Sequence, residues 1–282
     1  MPKSGQLLIV LGALILGAGT SQAQPSAGSP FGAKAQPLAG VLAAVPNSPA
    51  GKALPPGVNP AFIASLYGLR DAVYQSAPPE EVESAAQSLT QAAKAQNLDP
   101  IDENLVLARI DYLAARAWNE NGDKKKAIPH FEAAMRYALS SMNSGEHPAG
   151  LMALMKALSE LCVIKDLPFL MANGPKIAPY AKKILAMEPG HPGATITIAS
   201  SKAYPPAIFG GNPKEAIALL TALIASHPEG FEKDELFDIR ACMGTAALKL
   251  GRRDEARYWF EAALELYPRN EYALRELEKA KR

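Results

Sequence analysis

The chain is 282 residues long and carries 29 Lys and Arg against 28 Asp and Glu. So even a balance gives no electrostatic footprint for a phosphate backbone, and no nucleic-acid partner is expected. The longest basic run, Lys124-Lys125-Lys126, reads as the solvated edge of a turn.

The first 23 residues read as an export signal: Lys3 gives the positive start, Leu7 to Leu16 is an apolar run too short to span a bilayer, and Ser21-Gln22-Ala23 offers small residues for cleavage. A mature chain starting near Gln24 would be neutral and would reside in a periplasm or be secreted. No cysteine lies near the cleavage site, so no lipid attachment is expected. Residues 24–58 are rich in Ala, Pro, Gly and Ser, with eight prolines from Gln24 to Pro60, and read as a flexible leader whose apolar stretch Leu38 to Val45 could instead dock on the body. Residues 59–282 read as a helical-repeat domain opening on the cap pair Asn59-Pro60.

From there the periodicity is helical throughout. Phe62, Leu66, Leu69 and Val73 form one apolar stripe; Val82, Ala85, Leu89 and Ala92 a second; Val106, Ile110, Leu113 and Ala117 a third. Asp123 to Ser141 makes the next helix, and Leu151, Leu154, Leu158, Leu161 and Cys162 mark another that starts near His147-Pro148. Pro168, Pro175 and Pro179 cut the following stretch into short pieces. Helices are then expected at about 192–203, 212–226, 234–250 and 252–267, and a charged helix over 269–282 with Ala273, Leu274 and Leu277 inward is expected to cap the end. No segment shows the sustained alternation of a strand.

One spacing recurs within these helices. In GTAALKLGRRDEARYWFEAALELYP, Gly244 and Ala256 are small enough for two helix backbones to approach, Gly251 sits in the turn between them, Phe260 fills the groove, Ala263 follows, and Pro268 stops the second helix. Aligned on the turn glycine, Ala115, Gly122, Ala127, Phe131 and Ala134 fall in register. A third copy keeps Gly211, Ala216, Leu220 and Pro228 but has Pro205-Pro206 where its first helix should run, and a fourth, ending at Pro189, is degenerate. This spacing resembles a tetratricopeptide repeat. The intervals Pro189–Pro228 and Pro228–Pro268 are 39 and 40 residues, longer than the usual period of about 34. The resemblance implies an all-α solenoid of antiparallel helix pairs in which the first helix of each pair lines a concave inner wall.

Reactive chemistry is not indicated. His130, His147, His191 and His227 are scattered at helix ends and turns with no second ligand at metal spacing, and no nucleophile elbow, HExxH, phosphate loop or CxxC is present. Glu80-Glu81 and Asp234-Glu235 stand at helix starts, where the dipole favours a carboxylate. No catalytic residue, metal or cofactor is therefore assigned. Cys162 and Cys242 could pair in an oxidising compartment, or stand as small core residues.

Binding remains. The inner-wall candidates are Arg109, Tyr112, Arg116 and Asn119 on one first helix and Asp238, Thr245 and Lys249 on another. Two arginines with a tyrosine between them suit a carboxylate or an acidic protein face, against the plainer reading of solvated surface. The loop from Tyr204 to Asn212 (YPPAIFGGN) breaks a repeat and displays Ile208 and Phe209, either as a core plug or as a pocket wall.

With its two segments AYPPAIFGGNPKEAI and NGDKKKAIPHFEAA, the chain from about residue 60 onward resembles the T component of TRAP transporters that use a tetratricopeptide-repeat partner. That resemblance implies an irregular α-solenoid acting beside a periplasmic solute-binding protein and handling an apolar small molecule, with Tyr112, Tyr204, Ile208 and Phe209 near the inner cavity. The alternative is a generic secreted scaffold that holds a peptide or another envelope protein in its groove. A homo-oligomer is compatible with either.

Overall fold

The computed structural model describes residues 59–282, apart from the side chain of Phe209. The export signal, the leader and the question whether Phe209 plugs the core lie outside the described residues. The helices are α1 (Pro60–Tyr74), α2 (Pro79–Lys94), α3 (Pro100–Glu120), α4 (Lys124–Ser141), α5 (Pro148–Ile164), α6 (Leu167–Asn173), α7 (Ile177–Met187), α8 (Pro192–Ala203), α9 (Pro213–Ala225), α10 (Lys233–Lys249), α11 (Arg253–Leu266) and α12 (Glu271–Lys281). Short 3-10 turns occupy Gly174–Lys176 and Ala207–Phe209, and no strand is present among the described residues. The fold is an all-α, tetratricopeptide-like solenoid, with α3/α4, α8/α9 and α10/α11 as hairpins and α12 over the end.

Local chemistry sets the helix boundaries. Six helices have proline as their first residue, where its missing N–H costs nothing, and most have a side chain at the preceding position accepting from the first free amides. Asn59 accepts from Ala61 N at 2.9 Å, Asp99 from Ile101 N at 2.9 Å, and Asn212 from Glu215 N at 3.2 Å. Two of the histidines do the same, His147 through Nδ1 to Gly150 N and His191 through Nδ1 to Ala194 N. His130 departs from the expectation: it sits inside α4, bridging Asp111 at 2.7 Å and Glu83 at 2.9 Å.

The small-residue spacing is realised in the packing. Ala115, Ala127, Phe131, Ala216, Leu220, Ala256, Phe260 and Ala263 are all fully buried. Gly122 and Gly251 take φ of 89° and 73°, the left-handed turn that glycine tolerates best. In the third copy the left-handed residue is Gly210 (φ 84°), while Gly211 serves close approach, since a Cβ there would stand 2.0 Å from the Pro205 carbonyl oxygen. Two expected inward residues are not inward. On α2 the buried face is Val82, Ala86, Leu89 and Ala93, with Ala92 half-buried against it and Ala85 exposed; on α12 Leu274 is 42% exposed and Glu276 and Ala280 are buried with Ala273 and Leu277. Neighbouring apolar residues, Ala85-Ala86 on the one helix and Ala273-Leu274 on the other, leave the phase open from composition alone. Cys162 and Cys242 are free, buried thiols rather than a bridged pair, and burial pushes them up to about 11 and about 12.

Gly244 faces the Phe260 ring, and a Cβ there would lie 2.9 Å from it. Gly244→Ala gains about 1 kcal/mol of helix propensity but overpacks a filled groove at about 1–3 kcal/mol. A net loss of about 1 kcal/mol is expected in urea unfolding, and relief by the double change with Phe260→Leu.

His130 is held above its ordinary value chiefly by Asp111, with burial opposing and Glu83 assisting. Because its folded pKa is raised, its contribution is fully present below about pH 6.5 and is lost as pH rises through the raised value. The melting-temperature difference between the parent and His130→Gln should therefore be largest near pH 5.5 and shrink toward pH 8.5.

Candidate functional site

The solenoid closes on itself. Tyr74, the last residue of α1, belongs to the core of the C-terminal repeats, whereas Phe62, Leu66, Leu69 and Val73 of the same helix belong to the N-terminal core. The Tyr74 ring stacks on Tyr267 at 4.8 Å and meets Phe237 edge-on at 5.3 Å. Around this aromatic contact run ion pairs that also join the two ends. Arg70 Nη1 donates to Asp234 at 3.2 Å, Lys233 donates to Asp71 at 2.9 Å, and the Tyr267 hydroxyl donates to Asp71 at 3.0 Å. Asn270 donates to the Tyr74 carbonyl at 2.8 Å, and the Glu271 amide donates to Ser76 Oγ at 3.2 Å. Ser76 reaches that position with φ of 54°, a left-handed angle that costs a non-glycine residue about 1 kcal/mol or more.

Charges in the seam are held by one another. Burial opposes the Arg70 charge, but Asp234 and Asp71 keep its pKa raised; burial likewise opposes ionisation of Asp71, which Lys233, Arg70 and Tyr267 overcome to lower it. Asp234 is lowered against its burial by Arg109, Lys156 and Arg70.

Two half-open cavities of about 530 and 640 Å3 lie along this wall and meet at Arg116, which lines both. The larger is walled by the second half of α1, the first two-thirds of α3, the first half of α5 and the start of α10, including Arg70, Arg109, Tyr112, Lys156, Glu232 and Glu235. The smaller is walled by the C-terminal ends of α1, α3 and α5, the middle of α10 and the α11–α12 turn, including Asn119, Glu160, Tyr204, Asp238 and Tyr272. Along α3, α5 and α10 the lining thus passes in chain order from the larger cavity to the smaller, while α1 meets both with its second half.

Among the residues singled out from sequence, Arg109, Tyr112, Arg116, Asn119, Tyr204 and Asp238 line these cavities. Arg109 pairs with Glu232 at 3.4 Å, and Arg116 pairs with Glu120 at 2.5 Å while lying 4.5 Å over the Tyr74 ring. Burial raises the Tyr112 hydroxyl well above its usual range. Thr245 and Lys249 are engaged elsewhere, Thr245 with Tyr272 at 2.6 Å and Lys249 on the Tyr204 and Pro205 carbonyls. Ile208 is 78% exposed and lines neither cavity. The sequence reading did not single out Arg70, Lys156, Glu160 or Tyr272. The signal for Glu160 was present: it lies off the stripe of Leu151, Leu154, Leu158 and Leu161 on an inner helix.

Among the described residues no group of three or more His, Cys, Asp or Glu side chains is placed to hold a metal ion, and no helix is long and apolar enough to cross a membrane. A family model for the tetratricopeptide repeat matches residues 238–270. The chain therefore contains a tetratricopeptide repeat. No curated protein and no solved structure matches the chain. Repeats of this kind generally mediate contacts between proteins, and the fold is that of an interaction scaffold.

Replacing Asp71 by Ala removes the acceptor shared by Lys233, Tyr267 and Arg70. Its side chain is 36% exposed, so solvent screening limits the loss to about 1–2 kcal/mol. Amide exchange in α1 should accelerate while α10 and α11 stay protected.

Proposed function

We propose that this is a periplasmic accessory protein that docks the solute-binding protein of a TRAP-type transporter and keeps a small molecule in its interior. The observation that carries this reading is the closure of α1 onto α10 around a joined cavity. An open solenoid presents its inner wall to a protein segment, whereas here that wall curves around a half-open space of small-molecule size. A protein partner would then meet the outer surface, and the interior would serve the ligand. Apolar side chains in the larger cavity, among them Leu66, Leu113 and Met152, suit the hydrocarbon part of such a ligand.

The resemblance of the segment around Pro205-Pro206 and of the segment around Gly122 to the T component supports the transporter assignment, and the signal-like first residues support export. The reading is of a binding protein rather than an enzyme, in keeping with the repeat found at residues 238–270. The alternative, a scaffold gripping an extended peptide along its inner groove, requires α1 and α10 to part.

Co-expression with the solute-binding protein of a TRAP transporter from the same genome tests the docking half. Native mass spectrometry should show a stable complex that survives Arg116→Gln, because Arg116 is interior. No complex, or one abolished by that change, would contradict an outer docking face.

A further inference from the structure

The smaller cavity has a charge pattern that neither docking nor an apolar ligand explains. Glu80, Glu120, Glu160, Asp238 and Glu271 line it against a single guanidinium, Arg116. That guanidinium is already engaged by Glu120 and by the Tyr74 ring. Glu160 and Asp238 have no ion-pair partner among the described residues: Glu160 accepts only a long hydrogen bond from Asn119 Nδ2, at 3.4 Å, and Asp238 accepts from the Tyr74 hydroxyl at 3.2 Å. The C-terminal turns of α1, α3 and α5 border the same space, and helix ends of that polarity favour positive charge; the starts of α2 and α12 meet it at the rim and offset Glu80 and Glu271, which leaves Glu160 and Asp238 as the uncompensated pair.

A second observation is independent of the carboxylates. Asn119 lines this cavity with 5% of its surface exposed, and its Oδ1 is buried and accepts no hydrogen bond. Its Nδ2 is turned to Glu160, which fixes the oxygen as the group without a partner. An unsatisfied buried acceptor costs about 1–3 kcal/mol, and a donor entering the cavity would satisfy it. Tyr204, Phe237 and Tyr272 add aromatic surface of the kind that attracts cations.

We propose that the cavity bounded by Asn119, Glu160 and Asp238 binds an organic ammonium, an alkyl di- or polyamine. One ammonium donates to Asn119 Oδ1 and the Glu160 carboxylate, Asp238 takes its share of the charge, and the alkyl segment lies against the aromatic rings. Glu80 and Glu271, both exposed at the rim, draw the cation in. Consistent with an uncompensated site, burial pushes the carboxyls of Glu160 and Asp238 up to about 7 and about 6, with Arg116 acting in the opposite sense. This inference rests on the reading that the interior holds a ligand, and not on the docking of a partner.

Titration calorimetry of the full chain with spermidine is the test, with an uncharged α,ω-diol and a long-chain fatty acid as comparison probes. Saturable 1:1 binding of spermidine is expected, weakened at least tenfold by Glu160→Gln and by Asp238→Asn. Both changes are isosteric and remove carboxylates that the fold ionises reluctantly, so circular dichroism should be unaltered. Glu80→Gln, at the rim, should weaken binding less than threefold. Binding of the diol as tight as that of spermidine, or spermidine binding untouched by both interior variants, would overturn the assignment. If the fatty acid binds and spermidine does not, the amine assignment fails and the interior-ligand reading stands; if neither binds, both fail.

Discussion

The contact on which the interior depends is the seam between the end of α1 and the last repeat. It combines two effects of different range. Tyr74 adds its ring to Phe237 and Tyr267, which also touch each other at 5.4 Å, to make a three-ring cluster, a burial worth a few kcal/mol. Arg70, Asp71, Lys233 and Asp234 then fix the register of that insertion. Buried ions add little net stability on their own, because desolvation offsets most of their attraction. Their larger effect is on the alternatives: sliding α1 along α10 would part the buried Arg70 from Asp234 and leave it Asp71 of its own helix.

Closure turns a generic repeat into a container. The small-residue code brings each hairpin against its neighbour, and the inner helices α3, α5 and α10 consequently run in one direction. Their aligned dipoles and the side chains they carry make the two halves of the interior unlike. In the larger cavity Arg70, Arg109 and Lys156 balance Glu232, Asp234 and Glu235; in the smaller, carboxylates outnumber the one arginine. Arg116, stacked on Tyr74 and paired to Glu120, stands where the halves meet. A change at this residue therefore touches both the seam and the cavity.

The repeat frame was legible in the sequence because its determinants are local. Gly244, Gly251, Ala256 and Phe260 lie within one hairpin, and glycine, proline and cap residues mark boundaries wherever they fall. The seam was not legible, since Arg70 and Asp234 are 164 positions apart, and a lone arginine beside an apolar stripe looks the same whether water or a distant carboxylate meets it. The inner face of α3 was found by exclusion, as the positions off the packing stripe, and Arg109, Tyr112, Arg116 and Asn119 do line the interior. The loop reading left Ile208 as part of a core plug or of a pocket wall, whereas the loop carries it out to solvent: the two prolines and two glycines announce a break in the helix but not the direction in which the break points. Leu274 illustrates the complementary limit, since on a short end helix one leucine more or less does not set the phase.

The claim that matters most is that α1 and the last repeat stay together in solution. Spin labels at the exposed positions Glu80 and Arg269, on either side of the seam, report this through their dipolar coupling. A single narrow distance matching the closed ring is predicted, unchanged by salt because the aromatic insertion holds the seam. A broad distribution extending to long separations would contradict closure, and with it the half-open interior.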